Sequence, residues 1–233
     1  KKINNLKYNA SILKKFIYTK KNYLFDGVSI NSKTTKKNDL FVAIKGKKKD
    51  GHKFVNEAIK NGANYCVVSK NYRKHKKFIS VKNTMKFLNQ LAQNKRDLSS
   101  ARYIAITGSS GKTTVKTMLG NLLNTYSKTY FSPKSYNNHY GVPLSMSNTS
   151  LMDSFAVFEI GMNKFNEINK LSKLVKPHVG LITNISEAHL ENFRSINDIA
   201  KAKSEIMYNI SKGGTIILNH DDKFFNYFKS IAQ

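Results

Sequence analysis

The sequence predicts an α/β protein in which a small N-terminal domain precedes a larger domain built on a parallel sheet. Three observations lead to this prediction. Short β-rich runs surround a single helical segment at the start of the chain. From Arg102 onwards strand and helix patterns alternate, which is typical of a parallel sheet covered by helices on both faces. A glycine-rich turn joins the first strand of this second region to its first helix.

The first domain is expected over residues 1–82. Apolar spacing predicts a helix at 54–60, and Asn61-Gly62 directly after it is a good stop signal. Runs rich in β-branched and aromatic residues predict strands at 28–30, 40–44, 65–68 and 78–81.

A helix at 83–98 is predicted between the two domains, and residues 83–100 are expected to connect them. Its apolar residues recur at helical spacing on one side. They are Phe87, Leu88, Leu91 and Ala92.

The second domain is expected over residues 101–233, as an incomplete central domain. Strands are predicted at 103–107, 155–160, 179–185 and 215–218. Helices are predicted at 112–123, 165–175 and 196–210. Ligands of such sheets bind beyond the carboxyl ends of the strands, so candidate site residues are sought there.

The charge balance raises the question of a nucleic-acid partner. The chain carries 40 Lys and Arg residues against 14 Asp and Glu, a formal net charge of +26. The lysines are spread along the chain, and no RNP-like, zinc-finger or basic-zipper pattern accompanies them. Solvated surface lysines are the preferred interpretation, and we expect no nucleic-acid partner.

The composition excludes several classes of protein. Apolar residues make up 40% of the chain, enough for a packed core, which excludes full disorder. Cys66 is the single cysteine, which excludes an internal disulfide framework and a multi-cysteine zinc site. No apolar run approaches the ~18 residues of a membrane span. We expect a soluble, cytoplasmic monomer with no membrane partner.

The strongest motif is the glycine-rich turn of residues 105–114. Glycines let the backbone aim N–H groups at phosphate oxygens, and the helix N-terminus adds partial positive charge. Lys112 is expected to reach the β- and γ-phosphates, and Thr113 to offer its hydroxyl to Mg²⁺. Ile106 stands where the general P-loop pattern has glycine, so the match is to a shorter form, Gly-x-x-Gly-Lys-Thr. The second domain is therefore predicted to be a P-loop-type ATPase whose nucleotide is bound by Gly108, Ser109, Ser110, Gly111, Lys112, Thr113 and Thr114.

Two side chains at strand ends are candidates for the same site. Glu159 ends an apolar strand, where a hard oxygen ligand suits Mg²⁺; a solvent-exposed glutamate is the alternative. His189 follows the strand predicted at 179–185 by a few residues. A loop histidine there is either a ligand or an ordinary surface residue.

Lys203 falls on the apolar stripe of the helix predicted at 196–210, whereas Lys201 points elsewhere, within reach of Glu205. A lysine on an inward stripe must extend to solvent, pair with an anion or change its chemistry. A neutral buried amine can react with CO₂ to give a carbamate, an anionic oxygen ligand for Mg²⁺. Extension to solvent is the commoner outcome, so the residues alone support the carbamate weakly.

Two polar segments have no function assigned by simple rules. Residues 137–143 form a polar loop that ends in a rigid turn, and residues 50–54 form a turn into a helix. Either is compatible with ordinary loop chemistry.

Taken in order and spacing, the motifs resemble those of the Mur ligase family, ATP-dependent enzymes that build the peptide stem of peptidoglycan. The Ser-Ser form of the phosphate loop and Asn-Asn before Gly-Val-Pro favour the branch that adds D-alanyl-D-alanine to a UDP-N-acetylmuramoyl tripeptide. In the first domain the resemblance rests on residues 28–33, 39–46 and 50–52. In the second it rests on residues 107–114, 138–143, 159–161, 183–185, 188–191 and 200–205.

The resemblance implies a role for individual residues. Lys112, His189 and Lys203 would be catalytic, and Mg²⁺ would be held by Thr113, Glu159, His189 and Lys203, the last as a carbamate. The UDP-linked substrate would contact Ser32, Lys33, Asp50, His52 and Asn138. Lys33 stands where the family usually has arginine, which argues against a bidentate contact there. Asn31 stands where Asp or Thr is common.

The resemblance also implies a third domain, which closes over ATP and which we expect to be missing from this sequence. Without it we expect weak nucleotide binding and slow or no turnover. Two other functions stay open: a basic P-loop module acting on nucleic acid, and a non-catalytic fragment that only binds the UDP precursor. The ligase hypothesis requires residues 112, 159, 189 and 203 to converge on one cavity.

Overall fold

The computed structural model describes residues 9–15, 17, 21–46, 49–187 and 192–232. The chain divides into two compact units. The first comprises residues 1–98 with 146–148, and the second comprises residues 99–145 with 149–233.

The first unit contains a parallel sheet in the order β1-β2-β3-β4. Residues 9–14 form a helix, α1, ahead of it. Short 3-10 helices lie at Ser32–Thr34 and Gly51–Phe54. The remaining elements are β1 (Val28–Ser29), β2 (Leu40–Val42), α2 (Val55–Lys60), β3 (Tyr65–Ser69), β4 (Phe78–Val81) and α3 (Thr84–Leu98).

The core of this unit forms where the sheet meets α2. Phe41, Val55, Ala58 and Val68 are fully buried there. Helix α2 ends as predicted at Asn61-Gly62, because Gly62 adopts φ +109°, a conformation that favours glycine. Helix α3 also confirms its prediction, since its four predicted apolar residues are all buried.

The second unit contains a parallel sheet in the order β6-β7-β5-β8-β9, which confirms the predicted fold class. Its strands are β5 (Arg102–Thr107), β6 (Thr129–Phe131), β7 (Phe155–Glu159), β8 (Val179–Ile182) and β9 (Thr215–Leu218). Its helices are α4 (Lys112–Tyr126), α5 (Gly141–Ser147), α6 (Glu167–Val175), α7 (Ile196–Ser204) and α8 (Phe225–Ala232).

The register of the central strands sets the position of the candidate site. Ile106 of β5 pairs with Glu159 of β7, and Thr107 pairs with Ile182 of β8. These three strands therefore end at the same edge of the sheet, and the glycine-rich turn starts there.

The structure corrects several predicted elements. Strand β8 ends at Ile182 rather than at 185, and helix α7 gives way after Ser204 to a 3-10 helix, Glu205–Asn209. The turn predicted at Gly-Val-Pro is instead the start of α5. Pro143 is tolerated there because the first turn of a helix needs no donor N–H. Strand β6 and helices α1 and α8 were not predicted.

Within the described ranges, the structure contains no helix long and apolar enough to cross a membrane.

Candidate active site

The glycine-rich turn between β5 and α4 depends on two glycines. Gly108 adopts φ +148° and Gly111 adopts φ +78°, both of which favour glycine. A Cβ on Gly108 would collide with the side chain of Thr183, whereas a Cβ on Gly111 would meet no described atom within 4 Å. The turn therefore packs tightly against the segment after β8 at Gly108 and is open at Gly111.

The segment that follows β8 fixes the shape of this turn. Asn184 accepts hydrogen bonds from the backbone of Ser109 (2.9 Å) and, through Oδ1, from the N–H of Ser110 (3.1 Å). The Thr183 hydroxyl donates to the Ser110 carbonyl (2.7 Å), and the Ser186 N–H donates to the Ser109 hydroxyl (3.0 Å). Sequence reasoning noted residues 183–185 as a motif but missed this role.

Lys112 at the start of α4 lies over the turn. Its Nζ donates to the carbonyls of Gly108 (2.6 Å) and Ser109 (3.2 Å). Burial lowers the pKa of Lys112 from its ordinary value, and the charge of Glu159 partly opposes this. The exposed Thr113 shares a 3.0 Å hydrogen bond with the Ser135 hydroxyl.

Glu159 ends β7 with 0% of its surface exposed, so the alternative of a solvated glutamate is wrong. Asn137 Nδ2 donates to Glu159 Oε1 at 3.1 Å. Glu159 Oε2 lies 3.6 Å from the ammonium of Lys116 and has no hydrogen-bond partner among the described residues. A buried carboxylate oxygen without a donor is a suitable ligand for a cation.

Lys203 is 2% exposed, which confirms that it faces inward. Burial lowers its pKa to about 7, and the positive charge of Lys112 contributes in the same direction. A substantial fraction of this amine is therefore neutral near neutral pH. Lys201 is exposed as predicted. Glu205, expected within reach of Lys201, instead accepts from the backbone N–H groups of Asn166 (2.7 Å) and Asn169 (3.0 Å).

Three of the predicted site residues of the second unit interact electrostatically. Lys112 interacts with both Glu159 and Lys203. His189 lies outside the described residues, as do its neighbours in 188–191. The described residues form no cluster of three or more His, Cys, Asp or Glu side chains fit for a metal ion. Among them, Glu159 Oε2, which accepts no hydrogen bond from a described residue, and the Thr113 hydroxyl are oxygen donors of the kind that a divalent cation prefers.

A cleft of about 530 Å³ adjoins the glycine-rich turn, beyond the carboxyl ends of β8 and β9. Asp222 shapes it, because its Oδ2 accepts from the Ile185 N–H at 2.7 Å and its Oδ1 accepts from the Phe224 N–H at 2.9 Å. Polar side chains line most of the cleft. They include Asn184, Ser186, Glu187, Asn219, Asp221 and Lys223.

The first unit has a cleft of its own, of about 390 Å³, around His52. His52 Nδ1 contacts Asp50 Oδ1 at 2.7 Å, and its Nε2 accepts the Ser69 N–H at 3.0 Å. The hydrogen bonds from His52 lower the pKa of the Asp50 carboxyl. Because Nε2 must accept, His52 carries its proton on Nδ1. Asp50, His52 and Ser69 are arranged like an acid, base and nucleophile, but the Ser69 N–H already occupies the lone pair that a general base needs.

Two other predicted substrate contacts, Ser32 and Asn138, have structural roles in the described chain. The buried Ser32 donates through Oγ to Glu57 Oε2 at 2.8 Å, whereas Lys33 is exposed. Asn138 Oδ1 accepts from the N–H groups of Tyr140 (3.0 Å) and Gly141 (2.9 Å), where α5 begins.

Comparison with known proteins shows to which family this chain belongs. The profile described as "Mur ligase middle domain" matches residues 106–233, and the profile described as "Mur ligase family, catalytic domain" matches residues 24–96. The chain belongs to the Mur ligase family.

Curated Mur ligases named UDP-N-acetylmuramoyl-tripeptide–D-alanyl-D-alanine ligase are similar to this chain. The one from Rickettsia prowazekii is 41% identical over 88% of this chain and 46% of its own length. The one from Escherichia coli is 34% identical over 88% of this chain and 46% of its own length. The chain therefore spans about half the length of the curated relatives it matches.

Solved Mur ligase structures share the fold. MurF from Acinetobacter baumannii is 32% identical with a TM-score of 0.80, covering 98% of this chain and 51% of that one. A MurF ligase from Thermotoga maritima, solved in complex with ADP, is 31% identical with a TM-score of 0.76, covering 91% of this chain and 49% of that one.

One departure from the Mur ligase pattern has a local structural explanation. Asn31, where Asp or Thr is common, caps the 3-10 helix Ser32–Thr34 by accepting the Lys33 N–H at 3.1 Å through its side chain. An amide oxygen serves this capping role as well as a carboxylate or hydroxyl would.

Proposed function

We propose that this chain supplies the precursor-binding and ATP-binding parts of a ligase that joins D-alanyl-D-alanine to UDP-N-acetylmuramoyl tripeptide. The observation that carries the proposal is the glycine-rich turn at the edge where three parallel strands end, with Lys112 hydrogen-bonded over it and the buried Glu159 at the end of β7. The names of the curated relatives support the choice of substrates.

In this proposal the second unit binds ATP. The N–H groups at the start of α4 face the phosphates, and Lys112 moves from the loop carbonyls to the β- and γ-phosphates. The cleft beyond β8 and β9 is of a size to take the nucleoside. The ADP complex of the Thermotoga maritima relative supports a nucleotide site in this fold.

Mg²⁺, when bound, neutralises negative charge that develops on the transferred phosphoryl group. Glu159 Oε2 and the Thr113 hydroxyl are the described groups that would hold it, with His189 proposed as a further ligand. Lys203 would add an anionic oxygen after its neutral amine attacks CO₂, forming an N–C bond and releasing one proton to solvent. The pKa of about 7 favours this reaction near neutral pH.

The reaction proposed is acyl-phosphate ligation. The terminal carboxylate of the tripeptide attacks the γ-phosphate of ATP, and ADP leaves. The amine of D-alanyl-D-alanine then attacks the acyl carbon, and inorganic phosphate leaves as the amide bond forms. The chain contributes by positioning the reactants and by neutralising charge through Lys112 and the N–H groups at the start of α4.

The first unit is proposed to bind the UDP part of the precursor. The cleft around His52 carries cationic side chains, Lys45 and Lys53, that suit an anionic ligand. The hydrogen bonds to Asp50 and Ser69 hold the His52 ring in one orientation. Ser32, Lys33 and Asn138 stay candidate contacts to this substrate.

The test is to titrate ATP with Mg²⁺, and separately the UDP tripeptide, against the chain and its Lys112→Ala variant. We expect the variant to lose about 10- to 100-fold in nucleotide affinity, because one charge-assisted contact is removed, and to keep its affinity for the precursor. Phosphate release is then measured with both substrates present, using chain extended to the full length of its relatives. Precursor binding without ATP-dependent phosphate release would favour the non-catalytic fragment instead.

A further inference from the structure

Lys116 is a buried cation that the proposed mechanism does not use. It lies one helical turn beyond Lys112 on α4, yet it is 1% exposed. Its Nζ donates to the Lys134 carbonyl at 2.9 Å and to the Ser132 hydroxyl at 3.3 Å. The carboxylate of Glu159, itself fully buried, lies 3.6 Å away.

The distance between the Lys116 ammonium and the Glu159 carboxylate is longer than that of a hydrogen bond. A charge-assisted hydrogen bond between an ammonium and a carboxylate is about 2.7–2.9 Å long. The 3.6 Å separation leaves Oε2 without a hydrogen-bond donor among the described residues, although a positive charge faces it. Lys116 therefore balances the charge of the carboxylate and leaves Oε2 available to another ligand.

The remaining contacts of Lys116 and Glu159 involve one chain segment, residues 132–137. Ser132 and Lys134 accept from Lys116, while Asn137 donates to Glu159 Oε1 at 3.1 Å. The Asn137 carbonyl in turn accepts the Gly161 N–H at 2.8 Å. Lys116 thus faces Oε2 of the carboxylate, whereas Asn137 contacts Oε1. The segment 132–137 contains both the groups that accept hydrogen bonds from Lys116 and the side chain of Asn137.

We propose that Lys116 is a positioning residue, which fixes the carboxylate of Glu159 and the 132–137 segment in the arrangement that receives the cation accompanying the phosphates. The proposal rests on the proposed function, since it takes Glu159 as a ligand of that cation. An ion pair with a purely stabilising role would be expected to close to hydrogen-bond distance, because burying both ions is costly without good geometry. Groups that hold metal ligands in place typically change metal affinity when removed.

The first test is amide hydrogen exchange on the nucleotide-free chain. Lys116→Met keeps an unbranched side chain that is one atom shorter and removes its charge, and Lys201→Met removes an exposed lysine as the matched control. We expect Lys116→Met to speed exchange by roughly 10-fold or more at residues 132–137 and 159–161, with β8 and the control unchanged. Unchanged exchange in these segments, or a uniform increase across β5 and β8, would overturn the proposal.

If Lys116→Met does not fold, Lys116→Gln replaces it. Glutamine can still donate to the Lys134 carbonyl but carries no charge, so the increase in exchange should be smaller and confined to residues 159–161. An increase confined to residues 132–137 would contradict the proposal.

The second test measures ADP binding by calorimetry with Mg²⁺ and with a chelator. In Lys116→Met the gain in affinity that Mg²⁺ confers should fall by about 10- to 100-fold, while binding without Mg²⁺ stays close to that of the unsubstituted chain. An unchanged or larger gain would overturn the proposal. Failure of the unsubstituted chain to bind ADP would instead refute the proposed function, and the exchange experiment would still decide the role of Lys116.

Discussion

Lys203 shows at the scale of one residue how the fold changes a side chain's chemistry. Its position on the apolar stripe of α7 brings it into the interior, where desolvation destabilises the ammonium. The sequence predicted the inward orientation from helical periodicity. It could not predict the shift in pKa, because that shift depends on the depth of burial and on Lys112, which is distant in sequence.

The pKa of Lys203 predicts a pH-dependent stability. Below pH about 7 Lys203 is protonated in both the folded and the unfolded chain, so the folded state bears the full free-energy cost of a buried ammonium. Between about 7 and 10.5 the unfolded chain binds more protons than the folded chain, so stability rises with pH. At ~1.4 kcal/mol per pKa unit, the effect is on the order of a few kcal/mol.

The measurement is urea unfolding of Lys203→Met against the unsubstituted chain in CO₂-free buffer. The variant should be the more stable at pH about 6, and the difference should shrink towards pH about 9. Lys201→Met, which alters an exposed lysine, should show no such trend. A difference that is constant with pH would contradict the prediction.

At the scale of elements, the sequence predicted most strands and helices of both sheets. Strand β6, with three residues, was missed. Helix α5 was missed because Gly141 and Pro143 resemble turn residues, yet Asn138 caps its first turn. The role of Lys116 was missed because its partners, Ser132, Lys134 and Glu159, lie on other elements.

The glycine-rich turn provides a prediction from a matched pair of variants. Gly111→Ala should cost about 1–2 kcal/mol of stability, because φ +78° is strained for alanine but the surrounding space is open. Gly108→Ala should cost more and weaken ADP binding, since its Cβ would displace Thr183 and break the hydrogen bond to Ser110. Urea unfolding and ADP calorimetry measure both effects, and equal costs would refute this account of the turn.

At the scale of the whole molecule, each of the two units has a parallel sheet of its own, and a net charge of +26 accompanies them. The charge was interpreted from the sequence as dispersed surface lysine. The structure adds that some of it is internal, since Lys95, Lys116 and Lys203 are each at most 3% exposed. Net charge alone therefore overstates the positive surface available to a polyanion.

The dispersed and partly internal positive charge predicts how nucleic-acid binding responds to salt concentration. A protein that holds DNA through many phosphate contacts loses roughly 1,000-fold or more in affinity between about 50 and 200 mM salt. We expect DNA or RNA binding of this chain to disappear over that range, while ADP binding with Mg²⁺ changes little. Fluorescence anisotropy with labelled oligonucleotides measures the first and calorimetry the second. Nucleic-acid binding that persists at about 200 mM salt would favour the basic P-loop module.

The hydrogen bonds between residues 183–186 and the pair Ser109 and Ser110 have a consequence for ligand binding. Because the segment after β8 already immobilises the glycine-rich turn, the backbone of the turn has little conformational entropy left to lose when a triphosphate binds. The chain thus bears the cost of ordering this loop when it folds rather than at each encounter with nucleotide.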